Sequence, residues 1–295
     1  MNTHTMKCPR ITIITPSYNL EAYLEQTIQS VVKQNYPNLE YIVIDGGSTD
    51  HSVDIIKEYE KHLTYWISEP DQGLYHALQK GFDRATGDVM GWLNADDMLH
   101  PNALSTIAQA FQDLPEIDWL QGYPTVFDKS GRVVYHRPPR FSKYDFYLKR
   151  YHDGQFIQQE STYWRRSLWE KAGGYVSQQY QLAGDFELWM RFFKYSSLHS
   201  TLSLIGGFRA RGGEQLSYQH SEQYMKEADA IVDVCRATIS EKDEKIVRKI
   251  ARWDKIARFI PKGNVLLRYS SAYRPHVRLP RWVSYNFEQD KFQLD

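Results

Sequence analysis

Two carboxylates, Asp96 and Asp97, stand side by side just after the apolar run Val89-Met90-Gly91-Trp92-Leu93 and the link Asn94-Ala95. A short apolar run of this kind reads as a buried strand, so the pair falls at a strand end. Two adjacent like charges stay ionised there most readily when a divalent cation or several N–H donors neutralise them. Mg or Mn held by one or two carboxylates keeps positions that phosphate oxygens fill well. The plainer alternative is an acidic turn capping the helix expected from about Pro101. A third carboxylate, Asp185, opens a segment in which Leu188, Trp189, Phe192 and Phe193 share one helical face. At a helix N-terminus a carboxylate stays ionised cheaply and can take a proton from a hydroxyl, or it can serve as an N-cap without chemistry.

The elements that must position these groups alternate along the first 115 residues. Ile11 to Thr15 reads as a strand ended by Pro16, and Leu20 to Gln34 as a helix with Leu24, Ile28, Val31 and Val32 on one face. The cycle repeats as strand Tyr41 to Ile44 with helix Ser52 to Lys61, strand Tyr65 to Ile67 with helix Leu74 to Ala85, and strand Val89 to Leu93 with helix Pro101 to Leu114. Four such cycles imply an α/β fold with a mainly parallel, Rossmann-like sheet flanked by helices.

In such a sheet ligands bind beyond the carboxyl ends of the strands. The four exits read Pro16-Ser17-Tyr18-Asn19, Asp45-Gly46-Gly47-Ser48-Thr49-Asp50, Ser68-Glu69-Pro70-Asp71-Gln72-Gly73 and Asn94-Ala95-Asp96-Asp97. They should converge on one cleft rich in carboxylates, amides and hydroxyls, which suits a nucleotide. Gly46 and Gly47 admit a close backbone approach, and Asp45 is placed to accept from an N–H of a base. The alternative for Gly47 to Asp50 is a turn in which Ser48 or Asp50 caps the next helix. Asp71 and Lys80 are within reach of ribose or phosphate, although Lys80 also fits a solvated helix face. No G-x-G-x-x-G or G-x-x-x-x-G-K-[ST] loop occurs, so nucleotide binding here would depend on a metal.

Beyond residue 115 the pattern changes. Asp128 to Gly131 between Thr125-Val126-Phe127 and Arg132 to Tyr135 reads as a hairpin, and the aromatic stretch Tyr144 to Tyr151 suits either acceptor recognition or core packing. The 36 basic and 36 acidic residues balance overall. From Glu241 to Arg281, however, twelve Lys or Arg face four Asp or Glu, so charge is segregated toward the C-terminus. Within Asp243 to Lys262 a stripe of Ile246, Ile250, Trp253, Ile256, Ala257 and Ile260 is ringed by basic residues. Such a helix fits an anionic membrane surface, a nucleic acid, or packing on the rest of the protein. Cys8 and Cys235 alone do not form a disulfide framework, residues 1–10 lack a signal-peptide core, and no run reaches eighteen apolar residues. The expectation is a cytoplasmic protein, soluble or peripheral on the inner face of the membrane.

The segments ITIITPSYN, YIVIDGGSTD, SEPDQGLYHALQKGFDRATGD, GWLNADDML, QQESTYWRRSLWEKAGGY and AGDFELWMRF resemble, in order and spacing, those of the family-two inverting glycosyltransferases with the GT-A fold. The resemblance covers roughly residues 10 to 220. It implies a catalytic region over 1–220, with a nucleotide-binding half at 10–115 and an acceptor half at 116–220, followed by a helical, basic extension at 221–295. It implies a UDP-, GDP- or dTDP-linked sugar donor and a saccharide acceptor, lipid-linked in surface polysaccharide synthesis, with membrane contact through 243–281 and no nucleic acid. Pro16, Tyr18 and Asp45 would lie against base and ribose. The family's D-x-D falls on Asn94-Ala95-Asp96, which assigns Mn or Mg to Asp96 first and Asp97 second, and its general base falls on Asp185. Three positions depart from the pattern. Asn94 replaces the first aspartate, Gln79 stands where many relatives carry Asn, and Arg211 in Phe208-Arg209-Ala210-Arg211 replaces a frequent His. Arg211 cannot ligate a cation but can bind a diphosphate by charge. Two other classes fit parts of the chain, a nucleotidyltransferase of similar architecture and a non-catalytic nucleotide- or RNA-binding protein.

Overall fold

The computed structural model describes residues 8–136, 141–154, 156–212, 215, 219–257 and 279–295. Its first half follows the expected alternation, as β1 (Ile11–Ser17), α1 (Glu21–Val32), β2 (Leu39–Asp45), α2 (Ser52–Glu58), β3 (Tyr65–Ser68), α3 (Leu74–Phe82), β4 (Val89–Trp92), a short β5 (Met98–Leu99) and α4 (Ala103–Asp113). Side chains of successive strand residues point to opposite faces, and the packing obeys that period. Ile11 and Ile13 of β1 and Tyr41 and Val43 of β2 pack with Leu24 and Ile28 of α1 and Leu104 and Ile107 of α4. Ile14, Ile42 and Ile44 pack instead with Leu78 and Phe82 of α3.

β1 does not end at Pro16, as the sequence suggested, but runs through Ser17. Its pairing with β4 covers only Ile11 to Ile14, while its pairing with β2 continues to Ser17. Ile14 faces β4, since its carbonyl accepts from Leu93 N–H at 2.9 Å. Pro16, two residues on, therefore turns its missing N–H toward a neighbour that has already ended, and no ladder bond is lost.

The second half adds β6 (Trp119–Gln121), β9 (Thr162–Arg165) and β10 (His199–Thr201) to the same sheet, the short helices α5 (Lys143–Tyr147) and α6 (Arg166–Lys171), and α7 (Gly184–Phe192) on the face that carries α3. The expected hairpin forms as β7 (Thr125–Phe127) and β8 (Val133–His136), which join β5 and β11 (Gly206–Arg209) in a second sheet of order β5-β11-β7-β8. Two further helices, α8 (Ser221–Arg236) and α9 (Glu241–Ala257), bear out the helical extension. The extension then ends in a hairpin the sequence reading did not anticipate, β12 (Trp282–Asn286) and β13 (Lys291–Leu294). β12 pairs parallel with β10, so the described strands of the main sheet run β13-β12-β10-β6-β9-β4-β1-β2-β3.

The α9 stripe is turned inward. Val247 and Ile250 are buried, and Ile246 and Trp253 pack against the same core as α3 and α7, while Ile256 stays half exposed. Ile260 and the basic positions from Arg258 to Arg278 lie outside the described residues. Core packing also claims the Tyr144 to Tyr151 stretch, because Tyr144, Phe146, Tyr147 and Tyr151 are all buried in that cluster. Acceptor recognition through those rings is therefore set aside.

Glu40 fastens the start of the sheet. Buried at 2% exposure, it accepts from Thr12 Oγ1 at 2.5 Å, Thr86 N at 2.6 Å, Thr86 Oγ1 at 2.6 Å and Arg10 Nη2 at 2.9 Å. Burial alone would raise its carboxyl, but the hydrogen bonds from Thr12 and Thr86 and the charge of Arg10 outweigh it and hold the carboxyl below 4.5. A folded-state value below the unfolded one means the stability it contributes is present above pH 4.5 and is lost as pH falls through the folded value. Glu40→Ala leaves those buried donors unpaired and should cost about 3 kcal/mol at neutral pH. Urea unfolding of both proteins at pH 7 measures this, and a loss below about 1 kcal/mol contradicts the assignment.

Candidate active site

The carboxyl edge of the sheet carries the site. After β1, Asn19 takes a left-handed conformation (φ 51°) that Asn tolerates well. Its N–H donates to Ser48 Oγ at 2.8 Å and its Oδ1 accepts from Thr49 N–H at 2.8 Å. Asp50 caps two helices at once, accepting from Glu21 N–H of α1 at 3.0 Å and Ser52 N–H of α2 at 2.9 Å. These bonds lace the first two exits together, and Tyr18 stands on them 60% exposed, an open ring for a flat ligand. Pro16 lies beneath it, buried in β1.

Asp45 is fully buried, and its carboxylate accepts from Gly47 N at 3.1 Å, Ser48 N at 2.8 Å, Ser48 Oγ at 2.5 Å and Ser68 Oγ at 2.7 Å. Gly47 and Ser48 belong to the turn and Ser68 to β3, so the group expected to meet a base also ties the second exit to the third. Gly46 admits Asp71 rather than a ligand, since a Cβ there would lie 2.8 Å from Asp71 Oδ2. The third exit is thereby pressed onto the second. Lys80 does not join them. It pairs with Glu69 at 2.7 Å in an outer groove of about 350 Å³ lined by Ile44, Tyr65, Ile67, Asp83 and Arg84, remote from the carboxylates below. Gln79 is structural, accepting from Val176 N–H at 2.8 Å and donating to Asp83 Oδ1 at 2.7 Å.

At the fourth exit the two neighbouring aspartates divide their work. Asp97 is wholly buried and accepts from Arg209 N–H at 2.9 Å, Asn94 Nδ2 at 3.3 Å and Gln159 Nε2 at 3.3 Å. Burial, then the charges of Asp96 and Glu160, push its carboxyl well above the usual range. Both its oxygens accept from protein donors, which hold the loop that carries Asp96. Asp96 keeps a little exposure and meets Arg211, whose Nε lies 2.7 Å from Oδ2. Burial raises the Asp96 carboxyl, and the Arg211 charge so close to the carboxylate, together with that of Arg209, offsets only part of the rise.

Arg209 was passed over in the sequence as a mere neighbour of Arg211. Fully buried, its guanidinium donates to Asp96 O at 2.7 Å, Gln26 Oε1 at 2.9 Å and Lys129 O at 3.0 Å. It binds the aspartate loop, α1 and the β7–β8 turn to one another.

The residues fit a divalent cation at Asp96. Asn94 Oδ1 beside it is buried without a partner, as an oxygen awaiting a positive or donor group would be. Among the described residues no group of three or more His, Cys, Asp and Glu side chains is arranged to hold a metal ion. Mg or Mn there would draw on Asp96 and on phosphate oxygens.

Asp185 sits in the first turn of α7, as expected. Its carboxylate accepts from Tyr75 OH at 3.3 Å, a hydroxyl that also donates to Leu182 O at 2.6 Å. The cheap ionisation expected of a helix N-terminus does not hold. Burial lifts the carboxyl to about 6 despite the N–H groups of the helix start and Tyr75, and the Glu227 charge adds to the rise. One turn further on, Trp189 stacks on Trp92 of β4, with centroids 5.6 Å apart and planes 5° from parallel. This stack fixes the helix that carries Asp185 to the strand that leads to Asp96.

Glu160, in the turn before β9, joins the two ends of the site. It is buried, and its carboxyl is raised to about 8 by burial and then by the charges of Asp96 and Asp185. Both aspartates therefore lie within electrostatic reach of one side chain. The sequence pointed to Glu160 only as a letter inside QQESTYW.

This sheet, with its carboxylate loop and facing helix, is the GT-A glycosyltransferase fold. The *Staphylococcus aureus* TarS structure in complex with UDP-GlcNAc superposes with a TM-score of 0.63 at 18% identity, over 90% of this chain and 78% of that one. A mannosyltransferase from *Pyrobaculum calidifontis*, in complex with GDP-Man and Mn2+, superposes at 0.53 and 17% identity, over 92% and 85%. The model of glycosyl transferase family 2 matches residues 12–171, and the chain belongs to that family. A glycosyltransferase of *Mycobacterium tuberculosis* H37Rv is 32% identical over 62% of this chain and 68% of its own length. One from *Rickettsia typhi* is 27% identical over 65% of this chain, and the chain spans 61% of that relative. The putative teichuronic acid biosynthesis glycosyltransferase TuaG of *Bacillus subtilis* is 39% identical over 30% of this chain and 36% of its own. Among the described residues no helix is long and apolar enough to cross a membrane.

Proposed function

We infer that the protein is an inverting glycosyltransferase that moves a sugar from a nucleotide-diphosphate sugar to a hydroxyl of a saccharide acceptor, in the synthesis of a bacterial surface polysaccharide. The observation that carries this reading is the match of the glycosyl transferase family 2 model over residues 12–171, beside the Trp189–Trp92 stack that ties the helix of Asp185 to the strand leading to Asp96. Neighbours of the same fold in complex with UDP-GlcNAc and GDP-Man support the donor class, and the TuaG likeness supports the product class.

In this reading Tyr18 covers the base and ribose, and Asp96 and Arg211 face the diphosphate. Mg or Mn held at Asp96 would supply positive charge to the departing diphosphate. Asp185 takes the acceptor's proton onto its carboxylate as the acceptor oxygen forms a bond to the anomeric carbon from the opposite side. The bond from that carbon to the diphosphate breaks, and its electron pair leaves with the phosphate oxygen. The configuration at the carbon inverts. The proposed membrane contact draws on the charge of exposed α9 residues such as Lys245 and Arg248, each also paired with a glutamate one turn earlier, since most of the described apolar stripe packs on the core and only Ile256 stays half exposed.

Screening UDP-, GDP- and dTDP-sugars for release of nucleoside diphosphate, with Mn or Mg and with chelator, tests the reading. One donor class should be cleaved by the wild type, and Asp96→Asn should slow that cleavage by about 100-fold or more. Failure of every donor to be cleaved or bound would remove the transferase reading.

A further inference from the structure

Buried polar atoms without a partner are rare and call for an explanation. Among the described residues most of the unpartnered side-chain oxygens gather on the sheet's carboxyl edge, with Tyr163 Oη inside β9 apart from them. Ser17 ends β1, Asn94 follows β4, Gln121 ends β6, and Gln158, Gln159 and Glu160 precede β9, each with a buried side-chain oxygen that meets no donor. β9 runs antiparallel between β4 and β6, so its start lies beside their ends. An array of bare acceptor oxygens is complementary to a ligand that brings many hydroxyl donors.

Glu160 is the best placed of the six. A Cβ on Gly206 would fall 2.0 Å from its carbonyl oxygen, so its backbone is pressed against β11. Gln159 next to it is tied to Asp97 at 3.3 Å. Glu160 Oε1 is buried and bare, just before the start of β9 and so beside the end of β4 that leads to Asp96, and the charges of Asp96 and Asp185 both act on it. Between a diphosphate anchor and a base lies the transferred sugar.

We propose that Glu160 is a specificity-determining residue that accepts a hydrogen bond from a hydroxyl of the transferred sugar, which makes the donor a sugar hydroxylated at that position rather than its deoxy counterpart. The proposal rests on the transferase reading above. A site built around a hydroxyl discriminates strongly against the analogue that lacks it, since the protein acceptor is then left unpaired.

The test uses the full-length protein, the donor found by the nucleotide-sugar screen, and the series of that donor with one hydroxyl replaced by hydrogen at each ring position in turn. The wild type should prefer the parent over one deoxy donor by about 100-fold in kcat/KM. Glu160→Met, which keeps length without oxygens, should reduce that one preference to less than about tenfold while leaving the other preferences unchanged, and Glu160→Gln, which keeps an oxygen acceptor, should restore it. A wild type indifferent to every deoxy donor overturns the proposal even if Glu160→Met fails to fold. So does a Glu160→Met enzyme that loses activity equally on all donors, which is the mark of a purely structural residue. A wild type that cleaves no sugar nucleotide at all instead brings down the transferase reading, and this proposal with it.

Discussion

Asp185→Asn should abolish sugar transfer while the fold survives. Positioned general bases contribute about 100- to 10,000-fold to rate, and asparagine keeps the shape and the Tyr75 contact while losing the capacity to accept a proton. With Asp185 in the proposed role of base toward the acceptor, the loss should appear in kcat with little change in the donor's KM. The pH profile follows from the raised carboxyl, which must be deprotonated to work. Wild-type rate should climb about tenfold per pH unit below about 6 and level off above it. Stability runs the other way. The folded-state value of about 6 lies above the ordinary 3.8, so the folded protein favours the protonated form and the buried carboxylate is a cost above pH 6. The asparagine variant should therefore be at least as stable as the wild type at pH 7.5. A variant that retains a tenth of the activity, or a flat profile from pH 5 to 7, would show that another group accepts the proton.

Arg209→Met should be the most damaging single change to the fold of the site. The guanidinium is fully buried and its three donors meet Asp96 O, Lys129 O and Gln26 Oε1, while its charge lies beside Asp96 and Asp97. Methionine restores most of the volume but leaves those acceptors bare and removes one of the two guanidinium charges beside Asp96, the other being Arg211. Removing one partner from such a network costs about 3–5 kcal/mol. Denaturant unfolding at pH 7.5 measures it, and donor binding should weaken in parallel because the aspartate loop loses its anchor. An intact stability with weakened binding would instead place Arg209 in direct contact with the ligand.

How much of this was written in the sequence varies with the kind of signal. The four βα cycles were legible because each strand is apolar and β-branched and each helix repeats at its own period; the strand exits then gathered Tyr18, Asp71 and Asp96 at one edge, while the apolar face after Asp185 marked it as a helix start. The hairpin around Asp128 to Gly131 was equally plain. What the sequence could not separate was ligand binding from self-satisfaction. Asp45 and Asp97 have the residue type and position of ligand contacts, and both also accept from nearby N–H donors, a feature that depends on angles within a turn. Glu160 and Arg209 escaped because their importance comes from long-range neighbours across the second sheet. β12 and β13 escaped for a similar reason, since a strand that pairs with a distant partner carries no local mark of that partner.

That late hairpin bears on how the chain reaches its native state. Ser200 aligns with Trp282 in the main sheet, so the rim of the sheet beside β10 stays open until the segment from Trp282 onward is available to pair. Contacts between such remote stretches close slowly, since the intervening chain must be ordered before the pairing is rewarded. During that interval the bare rim is free to recruit a strand from another molecule, and synthesis in the cell is the stage at which this protein is most exposed to aggregation.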